Sequence, residues 1–62
     1  MKWLPRDGSV QHSADKRFCI VQANSRDWIA YRMGPTSGEE IGVKSTDEDA
    51  RKVCEDHEKQ RA

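Results

Sequence analysis

Four side chains in this 62-residue sequence could do metal or thiol chemistry: His12, Cys19, Cys54 and His57. Two thiolates and two imidazoles are a donor set for tetrahedral zinc. Their spacing argues otherwise. Zinc centres of this kind use a close pair of cysteines and a close pair of histidines, whereas here Cys54-x-x-His57 is one mixed pair and His12 and Cys19 stand far upstream. A simpler cause accounts for the mixed pair. Within "STDEDARKVCEDHEKQ", Ala50, Val53, Cys54 and His57 recur at i, i+3, i+4 and i+7, which is one face of an α-helix. On that face Cys54 serves as a small apolar residue and His57 closes the end of the stripe. No metal site and no cofactor is expected.

Catalysis has no better footing. The lone histidines and cysteines form no nucleophile, base and orienter set that spacing can identify, and no glycine-rich phosphate loop is present. A chain this short also encloses little concave volume for a small-molecule substrate. The adjacent Glu39 and Glu40 read as solvated loop charges. The chain is not expected to be an enzyme.

The elements that would position these residues can be traced from patterning. Ser45 followed by Glu48 has the S-x-x-E spacing of a capping box, so a helix is predicted over residues 45–60. Asp47, Glu48 and Asp49 sit at its positive end. Asp47 with Arg51, Glu48 with Lys52 and Glu55 with Lys59 form acid-first i, i+4 pairs. Upstream, "RFCIVQ" and "DWIAYRM" are rich in β-branched and aromatic residues and flank the turn-forming "ANSRD", the signature of a β-hairpin. After "GPTSGEE", the run "IGVK" predicts a third strand with Ile41 and Val43 on one side. The expected fold is α+β: a three-stranded antiparallel sheet, residues 15–44, packed on one C-terminal helix, in a single domain spanning 1–62. The N-terminal segment, residues 1–14, holds Trp3, Leu4 and Val10 around "PRDG" and has room for a short extra strand.

Side chains alternate across a strand. With a three-residue hairpin loop, Gln22 faces Trp28 and Ile20 faces Ala30, which groups Phe18, Ile20, Trp28 and Ala30 on one side. Cys19, Val21, Ile29, Tyr31 and Met33 fall on the other. A two-residue loop would mix the two sets. Both sides are apolar, and one helix with a narrow stripe of small residues can cover only one. The Phe18 side is expected beneath it, since large aromatics pack well opposite Ala50, Val53 and Cys54. That register turns Cys19 away from Cys54 and argues against a disulfide between them. The second side is covered either by the N-terminal segment folding back through Trp3 and Leu4, or by a partner. In the second case Val21, Ile29, Tyr31 and Met33 are the protein-binding residues, for a protein partner or a homodimer.

Composition sets the frame. Leu, Ile, Val and Phe number only nine and the net charge is zero; a low apolar content signals disorder when the net charge is large, and the periodicities favour a folded domain. No run approaches the roughly 18–20 apolar residues of a membrane span, and "MKWLPRDGSV" lacks the apolar stretch of a signal peptide. Two distant cysteines do not make a disulfide framework, so a reducing, cytoplasmic setting is expected. Residues 1–38 hold six bases against three acids, a net +3 offset by −3 in the remainder. The alternative function follows from that asymmetry: a DNA-binding module whose sheet enters the major groove, with Arg17, Arg26, Arg32 and Lys44 on phosphates or base edges. Overall neutrality weighs against it, and the same four residues also serve as solvated charges that discourage edge pairing.

"FCIVQANSRDWIAYRMG" followed by "STDEDARKVCEDH" resembles a pattern in small phage and prophage proteins. In these, an aromatic-x-Ile strand, a W-x-A-aromatic strand and an S-x-x-E-x-A-x-x-x-C-E-x-H helix occur in this order. The matching residues are Phe18, Ile20, Trp28, Ala30, Tyr31, Ser45, Glu48, Ala50, Cys54, Glu55 and His57, within residues 15–57. The resemblance implies a fold of three strands and a C-terminal helix. It carries over no catalytic residue, because none is established for the group. The order of elements is also similar to that of arm-type DNA-binding domains of phage integrases and of plant sheet-reading domains, in topology alone. The function expected is a small non-catalytic interaction module.

Overall fold

The computed structural model describes residues 2–61, and side chains through residue 59. The chain forms β1 (Val10–His12), β2 (Phe18–Asn24), β3 (Asp27–Met33), β4 (Gly38–Lys44) and α1 (Asp47–Arg61). The strands make an antiparallel meander in the order β1-β2-β3-β4, and α1 crosses one face of it against β2, β3 and β4. The architecture is α+β as expected, with the extra N-terminal strand formed as β1.

The hairpin register is the expected one, reached by a different route. Gln22 pairs with Trp28 and Ile20 with Ala30, yet Asn24 pairs with Asp27 across only two residues. A two-residue turn alone would put the faces out of step. A bulge between Gln22 and Asn24 inserts one extra residue and restores the alternation. Phe18, Ile20, Trp28 and Ala30 therefore share one face and form the buried core with Ala50 and Cys54 of α1, while Trp3, Ile41 and Val53 pack around them. Ile20, Ala30, Ala50 and Cys54 have no exposed surface.

A second bulge corrects the assignment of β4. Ala30 pairs with Gly42 and Tyr31 with Glu40, which leaves Ile41 as the extra residue. Two residues opposing one on the partner strand fall on the same side. Ile41 thus joins Gly42 toward the helix and packs on the core, whereas Val43, the partner of Ile29, lies on the opposite face and is 48% exposed. Gly42 has no side chain for a reason of space: a β-carbon there would meet Val53 Cγ1 at 3.1 Å.

The helix starts one residue later than the capping box implied. Thr46, not Ser45, is the cap: its Oγ1 accepts from the Asp49 N–H at 3.1 Å, and its carbonyl accepts the first helical bond, from Ala50 N–H. Asp49 then occupies the third helical position. Of the three acid-first pairs, Asp47–Arg51 is joined at 3.1 Å. Glu55 instead accepts from Trp3 Nε1 at 3.3 Å.

That last contact settles the route of the N-terminal segment. Residues 2–7 run back along β1 through two isolated bridges, Trp3 with Ser13 and Asp7 with Val10, held by Ala14 N–H to Lys2 carbonyl and Leu4 N–H to His12 carbonyl. The reversal is a two-residue turn at Gly8 and Ser9 between the paired Asp7 and Val10, with Gly8 at φ +64, the left-handed conformation that glycine adopts freely. Trp3 bridges Ser13 and turns to the helix side. Arg6 follows it there, 5.6 Å above the Trp28 ring. The segment seals the edge of the helix-side core through Trp3, so of the two alternatives for the second sheet face, the N-terminal segment folding back through Trp3 and Leu4 or a partner, the first is not realised by Trp3. Among the described residues no helix is long and apolar enough to cross a membrane.

Candidate functional site

Cross-strand pairing builds two rows on the face away from α1. Val10, Val21, Ile29 and Val43 are successive register partners, so one apolar row crosses all four strands. The next row reads His12, Cys19, Tyr31, Glu40. Gln11, between Val10 and His12, points to the helix side and accepts from Arg51 Nη1 at 3.0 Å, which confirms that its two neighbours face the other way. Met33 extends the surface and is 40% exposed; its sulfur lies across Gly38, 3.2 Å from where a β-carbon would stand.

Val10, Val21, Ile29 and Tyr31 are only half-buried by their neighbours in the sheet. The helix contacts the sheet on the other face and residues 2–7 lie beside β1, so among the described residues no element packs across these rows, although Cys19 in the second row is itself buried at 6% exposure. An apolar row on an unlayered sheet face is the part of this molecule with the largest unrealised gain from contact. The four residues anticipated as protein-binding, Val21, Ile29, Tyr31 and Met33, come together here. Val10 and Val43 complete the row, and the sequence pattern does not mark them: Val10 lies in a segment without strand periodicity, and the bulge that separates Val43 from Ile41 leaves no mark in simple alternation.

The four anticipated nucleic-acid contacts are not brought together. Arg17 precedes β2 and Arg32 pairs with Phe18, near one end of the sheet; Arg26 lies in the β2–β3 turn and Lys44 pairs with Trp28, near the other. Six strand residues separate the ends, roughly 20 Å. Arg32 and Lys44 also share the helix-side register, so neither lies on the open face. Arg32 stands 3.8 Å from Glu39. Arg17 and Arg32 do line a depression of 230 Å³ with Phe18, Pro35 and Glu58. The Glu58 carboxylate in its wall, with Oε2 buried, opposes a phosphate.

The metal and thiol candidates are divided between the faces. His12 and Cys19 are register partners on the open side, and Cys54 is buried under α1, with His57 edge-on to Phe18 at 6.1 Å between ring centroids. Both cysteines are free thiols. Burial raises the Cys19 pKa and pushes that of Cys54 up to about 12, so neither is a ready nucleophile. Among the described residues no three His, Cys, Asp or Glu side chains converge as a metal site would need.

Ser13 is a further residue that patterning did not single out. It is wholly buried, and its hydroxyl accepts from the Phe18 N–H at 3.1 Å and donates to Asp15 Oδ1 at 2.7 Å, while Asp15 also accepts from the Arg17 N–H at 3.1 Å. These bonds lock the β1–β2 turn and align the two strands that begin the open rows. The Ser13 bond and the Arg17 N–H hold the Asp15 carboxyl below its ordinary value. No family model, curated protein or solved structure matches this chain.

Proposed function

We propose that this chain is a small non-catalytic interaction module that binds protein through the open face of its sheet, with Val21, Ile29, Tyr31 and Met33 as the contact residues and Val10 and Val43 completing the surface. One observation carries the reading: the row Val10, Val21, Ile29, Val43 crosses all four strands, and among the described residues no element is layered on it. Burying such a row is favourable at about 25 cal/mol per Å² of apolar surface, and the surface needs no induced rearrangement to receive a partner. The proposed setting is a reducing cytoplasm, in keeping with two free thiols, and, through the sequence resemblance alone, a phage or prophage.

The test is an amide map of the isotopically labelled chain with and without fractionated cell extract. Val21, Ile29, Tyr31 and Val43 should shift or gain protection while Ala50 and Cys54 do not. Open-face amides unchanged by every fraction would overturn the proposal. Salt-sensitive retardation of duplex DNA, reduced by Arg17→Ala or Arg32→Ala, would replace it with the nucleic-acid reading.

A further inference from the structure

The open face is complementary to itself. We propose that a second copy of this chain covers it, packed sheet on sheet about a two-fold axis that runs parallel to the strands between β2 and β3; this rests on the reading of that face as a protein-binding surface. Such an axis reverses the order of strands while keeping each cross-strand row above itself, and an isologous contact of this kind pairs every residue reciprocally. The register then dictates the partners. In the first row Val10 meets the partner's Val43 and Val21 meets the partner's Ile29, four branched side chains of similar size. In the second row the bulky Tyr31 falls over the partner's small Cys19, and His12 at one rim falls over the partner's Glu40 at the other.

Both complementarities depend on the order of residues across the strands. Sheets stacked roughly 10 Å apart fill best when large side chains oppose small ones, and twice in one dimer Tyr31 stands over the short Cys19, which the single chain already buries to 6% exposure. The face carries Glu40 on β4 and the imidazole of His12 on β1, so the two-fold brings these unlike groups together at both rims. Lys44 and Arg32, which would repel their own copies, belong to the opposite face.

Four strands about 4.8 Å apart and about five residues of strand length give roughly 300 Å² in flat projection per copy, and on the order of 500 Å² with side-chain relief. That is near the lower limit for a specific contact, so a dimer in reversible exchange with its monomer is expected.

The experiment is sedimentation equilibrium of the full chain from about 10 μM to about 1 mM, the range that so small an interface calls for. The mass should rise from one chain toward two. Glu40→Lys should weaken the dimer about threefold, since it alters two exposed rim pairs, and His12→Glu combined with Glu40→Lys should restore it. Val43→Asp, at an exposed position, should leave the thermal melt in place and abolish the dimer. A dimer indifferent to Glu40→Lys, or one that the double variant fails to restore, overturns the proposed packing. A single-chain mass throughout overturns self-association: if the open-face amides still respond to cell extract, the interaction module stands with another partner, and if they do not, both readings fall.

Discussion

Gly42 and Val53 meet where sheet and helix come closest: a β-carbon on the glycine would stand 3.1 Å from Val53 Cγ1. The bulge at Ile41 sets up this contact, because it turns both Ile41 and Gly42 toward α1, and the space left beneath the helix admits a hydrogen atom in place of a methyl group.

Gly42→Ala should therefore destabilise the fold, although alanine is otherwise better suited to a strand. Overpacking of this degree costs about 1–2 kcal/mol. Chemical denaturation with and without Val53→Ala checks the cause, since the second substitution should recover most of the loss.

The two faces of the sheet should respond differently to the same kind of change. Ile20 is fully buried under the helix and Val43 is 48% exposed on the open side. Ile20→Ala is expected to cost about 2–5 kcal/mol, and Val43→Ser less than about 1 kcal/mol. Urea midpoints measured in dilute solution give both values. Equal losses would mean that the open face is covered within the single chain.

The turn between β1 and β2 offers a pair of opposite effects. Ser13→Ala removes the acceptor of the buried Phe18 N–H and should cost about 1–3 kcal/mol. Lys16 sits at φ +62, a conformation unfavourable to a residue with a β-carbon, so Lys16→Gly should raise stability by about 0.5 kcal/mol once the greater freedom of the unfolded chain is counted. Thermal melts of the two variants should move in opposite directions.

Acid should weaken the fold through two aspartates. Asp47, bonded to Arg51, and Asp15, bonded to Ser13 and the Arg17 N–H, are both held below the ordinary 3.8. A carboxyl lowered in the folded state contributes stability that is present above its unfolded value and lost as the pH falls through its folded value. Melting temperatures should hold steady to about pH 5 and then decline, and Asp47→Asn should make the decline shallower.

Alkali acts through Cys54. Burial pushes its thiol up to about 12 from an ordinary 9.0, so the unfolded chain releases that proton first. The contribution to stability is present below pH 9 and is lost as the pH rises toward 12. Cys54→Ala should remove this part of the alkaline decline, and alkylation at pH 8 should be slow for the native protein and rapid in denaturant.

Much of this architecture was legible because it is local. The i, i+3, i+4, i+7 stripe located the buried face of α1, and strand alternation separated Phe18, Ile20, Trp28 and Ala30 from Val21, Ile29 and Tyr31. What escaped depended on single-residue irregularities. The bulge that restores the β2–β3 register and the one that turns Ile41 inward leave no periodic trace, and Thr46 replaced Ser45 as the cap because both residues offer the same hydroxyl.

The residues alone determined that one helix must pack on a ribbon with two apolar sides, since hydrophobic period is a property of each segment by itself. Which side stays open was decided in three dimensions. Trp3 had a choice between the open face and the margin of the helix, and it took the margin, where Glu55 accepts its indole N–H and the core accepts its ring. That outcome turns on contacts between residues 52 positions apart, whose relative free energies no stretch of sequence contains.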